Sequence, residues 1–594
     1  MTMRQIASGI ALILAIISTA QASDNEKNHK KQKKQPVAIK IVAINDFHGQ
    51  LESPGSLRNV PATPALPTPP TTPVGGVDWI AGYIADLRNK NPYTTVVSAG
   101  DLIGATPLIS ALFHDEGTIE TMNRAGLDIN AVGNHEFDEG KEELLRMQKG
   151  GCHPTDENSC QGNLVGTPVP FEGADFKFLA ANVVETATGK TIFPGFVIKQ
   201  YNDIKVAFIG LTLKETPSIV TPTGVAGLEF KDEAATINAL IPKLYKKGVK
   251  AIVVLIHQGG TIPVAQAVST INSCAGNLDD SPIKTIVNQL SNSVDLVISG
   301  HTHQAYNCKI ATKNPRHLIP VTSANSQGRV LTDVDMVFNA NSGKMQSINA
   351  TNVAIDRTNT SITPDADIKL IVDNYRTLVQ PIANRVIGSI TANLSRTANA
   401  AGESIMGDVI ADAQFEATKA PGFGDAAVAF MNPGGVRADL AFTSSAAGEG
   451  DGNVTFGEAF TVQPFGNSLV TLTLTGAQIE ELLEQQFVGC PNVQPFNRIL
   501  SASEGFTYEW DSLGAACDKI NPDSIKINGA VVGPAANYRI TVNSFLADGG
   551  DNFKVLALGS NRLGGAQDSD ALEAYFIANS PVSPGLLNRI LRLP

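Results

Sequence analysis

Short apolar runs, each ending in polar residues that can bind metal ions, recur through the first half of the chain. Residues 37–44 form an apolar, β-branched run that predicts a buried strand and stops at Asn45-Asp46-Phe47-His48-Gly49. Four later runs end in the same way. They are 94–99 before Gly100-Asp101, 129–132 before Gly133-Asn134-His135, 251–256 before His257, and 294–299 before Gly300-His301-Thr302-His303. Because the loops at one edge of an α/β sheet converge, these strand ends predict a shared site.

Helical spacing of apolar residues predicts the covering elements and a second domain. Residues 77–90 predict a helix packed on the sheet, and a new helical pattern after Pro364 predicts one amphipathic linker helix over 361–385. Its apolar positions are Ile368, Ile371, Val372, Tyr375, Leu378, Val379 and Ile382. From residue 386 onward, a helical stretch at 404–414 and a strand at 469–474 indicate a mixed α+β domain.

The N-terminal sequence predicts export from the cytoplasm, and the length of the chain predicts more than one hydrophobic core. A chain of 594 residues favours two domains. Residues 1–22 read as a signal peptide, with Arg4, the apolar run 6–20 and the cleavage site Ala20-Gln21-Ala22. The alternative is an uncleaved anchor, but this run is shorter than the roughly 20 residues that span a bilayer. No later run is apolar enough to span one, so we expect a soluble periplasmic or secreted protein.

All six cysteines lie beyond the predicted cleavage site, which predicts disulfides in an exported protein. The sequence allows many pairings, and we favour nearest neighbours because each closes a local loop. These pairs are Cys152 with Cys160, Cys274 with Cys308, and Cys490 with Cys517. Zinc ligation is the alternative, but the Cys-x-x-Cys spacing of zinc sites is absent from the sequence.

The net charge of the chain indicates which classes of partner it can bind. A net charge of −12 argues against nucleic-acid polymers, which need a basic face. The basic run 27–34 is a local exception that fits either a solvated N-terminus or contact with a membrane surface. A Pro/Thr-rich stretch at 54–73 predicts a surface insertion without a catalytic role, since its prolines prevent regular pairing.

The residues at the predicted strand ends are carboxylates, amides and imidazoles, which are ligands for zinc, manganese or similar ions. Alone, each motif is commonplace: an isolated Asp-x-His is usually a turn, and a lone histidine after a strand is usually a core residue. Together they supply three aspartates, one asparagine and five histidines. In Gly133-Asn134-His135-Glu136-Phe137-Asp138, the aspartate can also orient the histidine three residues before it.

The order of these motifs resembles the calcineurin-like metallophosphoesterases, and the region past residue 386 narrows the resemblance to the bacterial 5′-nucleotidase family. The resemblance implies an α/β fold, with a four-layer α/β/β/α metallophosphoesterase domain (23–360), the linker helix, and a C-terminal α+β 5′-nucleotidase domain (386–594). It implies two divalent metal ions, Zn, Mn or similar, with Asp101 bridging them. One ion takes Asp46, His48, Asp101 and His303; the other takes Asp101, Asn134, His257 and His301. His303 stands where relatives often carry glutamine or asparagine. The same resemblance makes His135 and Asp138 the catalytic dyad.

The resemblance also assigns substrate contacts in the C-terminal domain. The motif Asn432-Pro433-Gly434-Gly435-Val436-Arg437 resembles a loop whose asparagine and arginine contact the substrate, although Pro433 departs from the family's glycine. Phe465 and Phe545 match two aromatic residues that stack a nucleobase, and Asp551 matches a polar contact to the nucleoside. A further family arginine has no clear counterpart, and Arg396 is a candidate for it.

These features predict metal-dependent hydrolysis of nucleotides to nucleosides and phosphate by attack of an activated water. A UDP-sugar hydrolase or a 2′,3′-cyclic-nucleotide 2′-phosphodiesterase on the same scaffold is the near alternative. Two further hypotheses are a nucleoside-binding protein without turnover and a relative that acts on a small sulfur or phosphate anion. The intact phenylalanine pair argues against a relative that acts on a small anion. The complete set of metal ligands argues against a binding protein without turnover.

Overall fold

The computed structural model describes residues 35–58, 71–220, 222–262, 270–445, 447–490, 494 and 496–594. The predicted signal peptide, the basic run 27–34 and residues 59–70 of the Pro/Thr-rich stretch lie outside these described residues. The described ends of that stretch pair as a short ladder, Ser56–Leu57 with Thr72–Pro73, which its proline content did not predict. A strand edge tolerates proline where no N–H is needed.

Two six-stranded sheets form the centre of the N-terminal half. The first, from edge to edge, contains Met345–Ala354, Val330–Phe338, Val37–Ile44, Thr94–Ser98, Ile129–Ala131 and Lys177–Leu179. The second contains Ala305–Ala311, Leu318–Ala324, Leu296–Ser299, Ala251–His257, Ile204–Thr212 and Phe196–Tyr201. Their central strands are parallel. Such strands are buried on both faces, which explains their continuous apolar, β-branched sequences.

The two sheets pack face to face, and helices cover their outer faces. Side chains such as Ile41 and Val253 fill the layer between the sheets. The helices over the first sheet include Val77–Lys90, Glu116–Ala125 and Lys141–Lys149. The helices over the second are Glu233–Lys246 and Pro282–Gln289. This arrangement confirms the predicted four-layer α/β/β/α architecture.

The predicted linker helix spans Ala366–Ala383. It begins after Asp365, whose carboxylate caps the helix by accepting the N–H groups of Asp367 and Ile368. Its apolar face packs on the helices that cover the first sheet, because Ile368, Ile371, Val372, Tyr375 and Val379 are all buried there. Ile382 differs from the other predicted apolar positions, since it is exposed near the helix end.

Beyond the linker, a five-stranded sheet and its helices form the predicted α+β region. Its strands, in order, are Ser501–Ala502, Val428–Met431, Asn537–Asn543, Ser468–Thr475 and Ser560–Gln567. Its longer helices are Ile405–Thr418, Gly476–Glu484 and Asp568–Asn579. A second sheet contains Phe506–Ala515, Asp518–Ile520, Lys526–Ile527, Ala530–Val531 and Ile590–Leu593. The mixed architecture is confirmed, whereas the bounds assigned to the domains stay a prediction.

The three predicted disulfides are confirmed. Cys152 bonds Cys160, Cys274 bonds Cys308, and Cys490 bonds Cys517. Within the described ranges, no helix is both long enough and apolar enough to cross a membrane.

Candidate active site

The two sheets bring all seven predicted metal ligands to one edge. Each ligand follows or ends a strand: Asp46 and His48 follow Val37–Ile44, and His257 is the last residue of Ala251–His257. The other ligands follow the strands Thr94–Ser98, Ile129–Ala131 and Leu296–Ser299; they are Asp101, Asn134, His301 and His303. Six of the seven form two groups whose ligand atoms lie within 4.8 Å of one another.

Five of these ligands have left-handed backbone conformations, which residues other than glycine rarely adopt. They are Asp46 (φ 48°), His48 (φ 49°), Asp101 (φ 50°), His301 (φ 73°) and His303 (φ 55°). Such conformations cost free energy and persist only where the surrounding fold enforces them. Their concentration at one sheet edge marks it as a functional site.

The first group contains Asp46, His48 and His303. His48 Nδ1 lies 2.8 Å from the carbonyl oxygen of Gly104, to which only a protonated nitrogen can donate. Burial lowers the pKa of His48 well below its usual value, so Nε2 is an unprotonated acceptor. That atom lies 3.1 Å from His303 Nε2, which is itself 3.4 Å from Asp46 Oδ1. These atoms therefore surround a point suited to a cation.

The second group contains Asp101, His257 and His301. His257 Nδ1 donates to the carbonyl oxygen of Ala99 at 2.9 Å, which directs Nε2 at Asp101 Oδ2, also 2.9 Å away. Asn134 Oδ1 lies 3.1 Å from His301 Nδ1 and adds an amide oxygen to this group. Asp101 Oδ2 is also 3.7 Å from His48 Nε2 of the first group, so it lies between the two.

Burial and mutual repulsion set the protonation of these side chains. Burial, with repulsion from His257, lowers the pKa of His301 to about 3. Burial, with repulsion from Arg437, lowers the pKa of His303 to about 3. Burial raises the pKa of Asp46 to about 7. Neutral imidazole is the form that binds metal, so His301 and His303 can act as ligands at neutral pH.

His257 shows how strongly this site attracts positive charge. Burial disfavours its imidazolium form, but Asp101, Asp46 and Glu136 outweigh burial and raise the pKa of His257 to about 9. The same negative potential that holds this proton favours a metal cation in its place. The donor set of carboxylate, amide and imidazole atoms fits zinc, manganese or a similar divalent ion.

Two residues that position the ligands have no role in the sequence prediction. Glu136 is buried, and its carboxylate accepts the N–H groups of Asp101 at 3.0 Å and Gly133 at 2.6 Å. Burial, with repulsion from Asp101, raises the pKa of Glu136 to about 7. Asn45 donates to Asp46 Oδ2 at 2.6 Å. Both belong to the motifs that follow the predicted strands, so their position in the sequence was the available signal, but their contacts depend on the fold.

His135 and Asp138 form the predicted pair beside the two groups. His135 Nδ1 lies 2.8 Å from Asp138 Oδ2. Burial disfavours the imidazolium of His135, but the charges of Asp138 and Asp101 outweigh it and raise its pKa. On one side, the His135 ring stacks on Phe465, with 5.8 Å between ring centroids. The dyad therefore touches the C-terminal half directly.

One cavity of about 250 Å³ joins the two halves of the chain. Nine predicted residues line it: Asn134, His135, Asp138, His301, Asn432, Arg437, Phe465, Phe545 and Asp551. The guanidinium of Arg437 lies over the Phe465 ring, 5.6 Å from its centroid. The departure at Pro433 is tolerated because it begins the turn Pro433–Gly435, where the missing N–H costs little.

Hydrogen bonds connect the polar side chains at one end of this cavity. Asn432 Nδ2 donates to Asp551 Oδ2 at 2.8 Å, and Asn543 Nδ2 donates to Asn432 Oδ1 at 3.1 Å. Gly550 lies so close under Phe545 that a Cβ atom there would come within 2.4 Å of the ring. The absence of a side chain at Gly550 therefore allows the Phe545 ring to lie directly against this backbone.

Two further lining residues were missed by the sequence analysis. Arg498 Nε lies 3.6 Å from Asp551 Oδ1, and its guanidinium is 4.6 Å from the Phe496 ring centroid. Both side chains line the cavity. They belong to no motif and only the fold brings them here.

Arg396 lies outside this cavity, beside a second one. Its side chain is exposed and donates to the carbonyl oxygen of Arg437 at 2.8 Å. The second cavity, of about 510 Å³, is also lined by His48, His303 and Arg437. Arg396 therefore adjoins the first metal-ligand group. The ligand, dyad and substrate roles of all these residues stay predictions.

Known proteins share both halves of this architecture. Residues 39–305 match the calcineurin-like phosphoesterase family model, and residues 386–558 match the 5′-nucleotidase C-terminal domain model. The chain is 30% identical over 563 residues to endonuclease YhcR of Bacillus subtilis (strain 168), covering 94% of this chain and 41% of that protein. It is 32% identical over 547 residues to cell wall protein Lmo0130 of Listeria monocytogenes, covering 87% of this chain and 64% of that protein. The chain thus spans less than two thirds of both relatives.

Among solved structures, a 5′-nucleotidase precursor from Thermus thermophilus has the same fold. Its TM-score is 0.71 at 24% sequence identity, and the match covers 94% of this chain and 99% of that chain. The chain therefore belongs to the family that joins a calcineurin-like phosphoesterase domain to a 5′-nucleotidase C-terminal domain.

Proposed function

We propose that this protein is an exported nucleotidase that hydrolyses nucleoside 5′-monophosphates to nucleosides and phosphate. One observation carries the proposal: a single cavity is lined by metal-ligand candidates, by an imidazole–carboxylate pair and by two phenylalanine rings. A phosphate placed at the metal groups can thus belong to a nucleotide whose base lies against the rings.

Two divalent metal ions would be held by the residues at the sheet edge. Asp46, His48, Asp101 and His303 would bind one ion; Asp101, Asn134, His257 and His301 would bind the other. When bound, such ions neutralise the phosphoryl oxygens and make water nucleophilic at neutral pH. The oxygen of Asp101 that lies between the two groups supports its role as the bridge.

His135 would stabilise or protonate the reacting phosphate group. The charges of Asp138 and Asp101 raise the pKa of His135 against the effect of burial, and Asp138 fixes the orientation of its ring. Nδ1 faces the carboxylate, so Nε2 carries the proton available to the leaving oxygen. An imidazolium beside the phosphoryl group also offsets the negative charge of the transition state.

The C-terminal residues would select nucleotides. Phenylalanine faces bind any nucleobase by stacking, which predicts little discrimination between bases. Asp551 and Asn432 present polar atoms to the nucleoside, and the Arg437 guanidinium is suited to a phosphate oxygen. These contacts already share one cavity with metal-ligand candidates, so a domain motion around the linker helix would serve to admit the substrate and release the products.

Export fits the confirmed disulfides, which persist in oxidising compartments. One relative is named a cell wall protein, which supports a periplasmic or secreted location for this chain. N-terminal sequencing of the protein recovered from that compartment tests the expected cleavage after Ala22.

The central test is phosphate release by the purified protein from AMP, p-nitrophenyl phosphate, a UDP-sugar and a 2′,3′-cyclic nucleotide. Each substrate is assayed after chelation and again with manganese or zinc. We expect metal-dependent turnover with AMP preferred over p-nitrophenyl phosphate. A leading UDP-sugar or cyclic nucleotide would replace the monophosphate specificity with one of those alternatives. Metal binding without turnover of any substrate would contradict hydrolysis and favour a nucleoside-binding protein.

A second candidate is cleavage of phosphodiester bonds in nucleic acids, because a relative at 30% identity is named an endonuclease. The net charge of −12 disfavours long polymers. The same purified protein incubated with single-stranded and duplex DNA and RNA separates the candidates. Shortened polymers without mononucleotide turnover would favour the nuclease.

A further inference from the structure

The second cavity beside the metal groups carries a concentration of positive charge. Three arginines and one aspartate line it: Arg329, Arg396, Arg437 and Asp439, whose carboxylate accepts the backbone N–H of Arg396 at 2.7 Å. The chain as a whole has a net charge of −12, so this cluster runs against the overall balance. The cavity also reaches His48 and His303 of the first metal-ligand group.

Within the described part of the chain, none of the three guanidinium groups forms a salt bridge with a carboxylate. Arg329 Nη2 donates to the carbonyl oxygen of Pro54 at 3.2 Å, and Nη1 donates to the Gln327 side chain. Arg396 Nη1 donates to the carbonyl oxygen of Arg437 at 2.8 Å. Neutral oxygens therefore hold the guanidinium groups of Arg329 and Arg396, whereas Arg437 feels the charges of Asp138, Asp101 and Asp46 without a direct ion pair.

Arg329 is the most isolated of these cations. It is half-buried, and burial lowers its pKa. A partly desolvated charge without a counterion is costly, so its retention beside a phosphate site indicates an anionic ligand. The planar guanidinium offers two parallel donors that match phosphate oxygens.

The lining of this cavity differs from that of the cavity with the phenylalanine pair. Apart from the two histidines, its lining contains no aromatic side chain; its small residues include Ala105, Pro107 and Thr461. It offers no stacking faces for a nucleobase and suits a compact, charged group.

We propose that the second cavity binds an anionic group attached to the scissile phosphate on the side away from the nucleoside, with Arg329 as the residue that selects it. This inference rests on the proposed nucleotide-hydrolysing function. The anion is a second phosphate group, which has two chemical sources. It is either the next phosphate of a phosphoanhydride, bonded directly to the scissile phosphate, or the neighbouring phosphate of a short oligonucleotide, joined through a nucleoside whose base lies outside the cavity.

The proposal is tested by competition: the metal-loaded protein hydrolyses p-nitrophenyl phosphate, and each probe is measured as an inhibitor of that hydrolysis. One probe pair is dithymidine monophosphate and its 5′-phosphorylated form, and the other is the methyl ester of AMP and ADP. Within each pair, only the second member carries the additional phosphate. We expect the wild type to bind at least one charged probe about tenfold more tightly than its partner, as a charge-assisted contact provides. The pair that shows the preference identifies the source.

The variants assign the preference to Arg329. Arg329→Gln should reduce it by about tenfold, whereas Arg316→Gln, a change at an exposed arginine outside the cavity lining, should preserve it. Arg329→Lys keeps the positive charge but loses the two parallel donors of the guanidinium, so it should retain part of the preference. This variant replaces Arg329→Gln in the test if the glutamine variant fails to fold. Equal inhibition within both pairs by the wild type overturns the proposal. So does an unchanged preference in folded Arg329→Gln.

AMP turnover by the wild type is measured in parallel. If AMP is not hydrolysed while p-nitrophenyl phosphate is, the proposed nucleotidase function fails, and the probe pairs still report on the anion site. If AMP is hydrolysed and the pairs show no preference, only the anion site fails.

Discussion

The carboxylate of Glu136 forms hydrogen bonds with two loops of the metal site. Replacing Glu136 with glutamine tests how much these hydrogen bonds contribute to metal binding. Its Oε2 accepts the N–H groups of Asp101 and Gly133 at 3.0 and 2.6 Å. Its Oε1 accepts the N–H of Leu102 at 2.9 Å and the side-chain amide of Asn130 at 3.1 Å. Glu136→Gln keeps the side-chain size but exchanges one acceptor oxygen for an NH₂ group. With the NH₂ group at the Oε2 position, the N–H groups of Asp101 and Gly133 lose their acceptor. With it at the Oε1 position, the N–H of Leu102 loses its acceptor, while the Asn130 amide can turn so that its buried Oδ1 accepts from the new NH₂ group.

The expected loss is large because all four donors are buried or nearly so. A buried donor left without an acceptor costs about 1–3 kcal/mol, so the loss of one or two acceptors gives about 1–6 kcal/mol. In the first orientation the strain falls on Asp101, which lies between the two metal-ligand groups, and on Gly133, which precedes Asn134. In the second it falls on Leu102, which follows Asp101. Loss of an outer partner typically weakens metal binding by about 10- to 100-fold. The upper figure corresponds to about 2.7 kcal/mol, within the same range.

Competition with a chromophoric chelator measures the metal affinities of the wild type, Glu136→Gln and a matched Glu142→Gln control. The Glu142 side chain is 83% exposed, so its replacement should leave the affinity unchanged. Circular dichroism and thermal melting establish that each variant is folded. A folded Glu136→Gln protein that binds metal as tightly as the wild type would refute the positioning argument.

Three further outcomes follow from the contacts of the site. Asp138→Asn should lower kcat by about 10²- to 10⁴-fold with little change in KM, because it removes the charged partner of the dyad imidazole; steady-state kinetics with AMP measures this. Phe545→Ala should chiefly raise KM, whereas Phe465→Ala should raise KM and also lower kcat, since Phe465 stacks on the dyad histidine; unchanged kinetics in both would remove the stacking role. Metal affinity should fall as pH is lowered from about 9 to 6, because the metal-free protein holds protons on His257 and Asp46, with pKa values of about 9 and 7, that must leave on binding. Calorimetry in buffers of different ionisation enthalpy counts the released protons, and a pH-independent affinity would contradict those protonation states.

Elements with strong local signals were predictable from the sequence. The strand Val37–Ile44 and the helix Val77–Lys90 have the predicted bounds. The strand is buried on both faces and is therefore continuously apolar, whereas the helix is buried on one face and has apolar residues at helical spacing. The linker helix is shorter than predicted because the Asp365 side chain caps it after Pro364. The predicted strand at 294–299 begins later, at Leu296, where pairing with the neighbouring strand at Val253 starts.

The metal-ligand candidates were predictable because each lies next to a strand that can be recognised locally. The protonation of His257 was not predictable, since it depends on three carboxylates from separate segments. Arg498 and Arg329 carry no local signal at all. Arg498 reaches its cavity through contact with Asp551, and Arg329 through the turn that follows Leu318–Ala324. Tertiary placement, and not residue type, gives these side chains their chemistry.

The charges around the site make nucleotide binding depend on the metal ions. At the metal-free edge, protons offset much of the negative charge of the carboxylates: the pKa of His257 is raised to about 9, so its imidazolium faces Asp101 at neutral pH, and burial raises the pKa of Asp46 to about 7. Arg437 and Arg329 line the second cavity and attract a phosphate, but the metal-free edge adds little to that attraction. Two divalent cations would displace those protons and add positive charge at the edge, so that it would attract the phosphate as well. We therefore expect nucleotide binding to tighten once the metal ions are loaded.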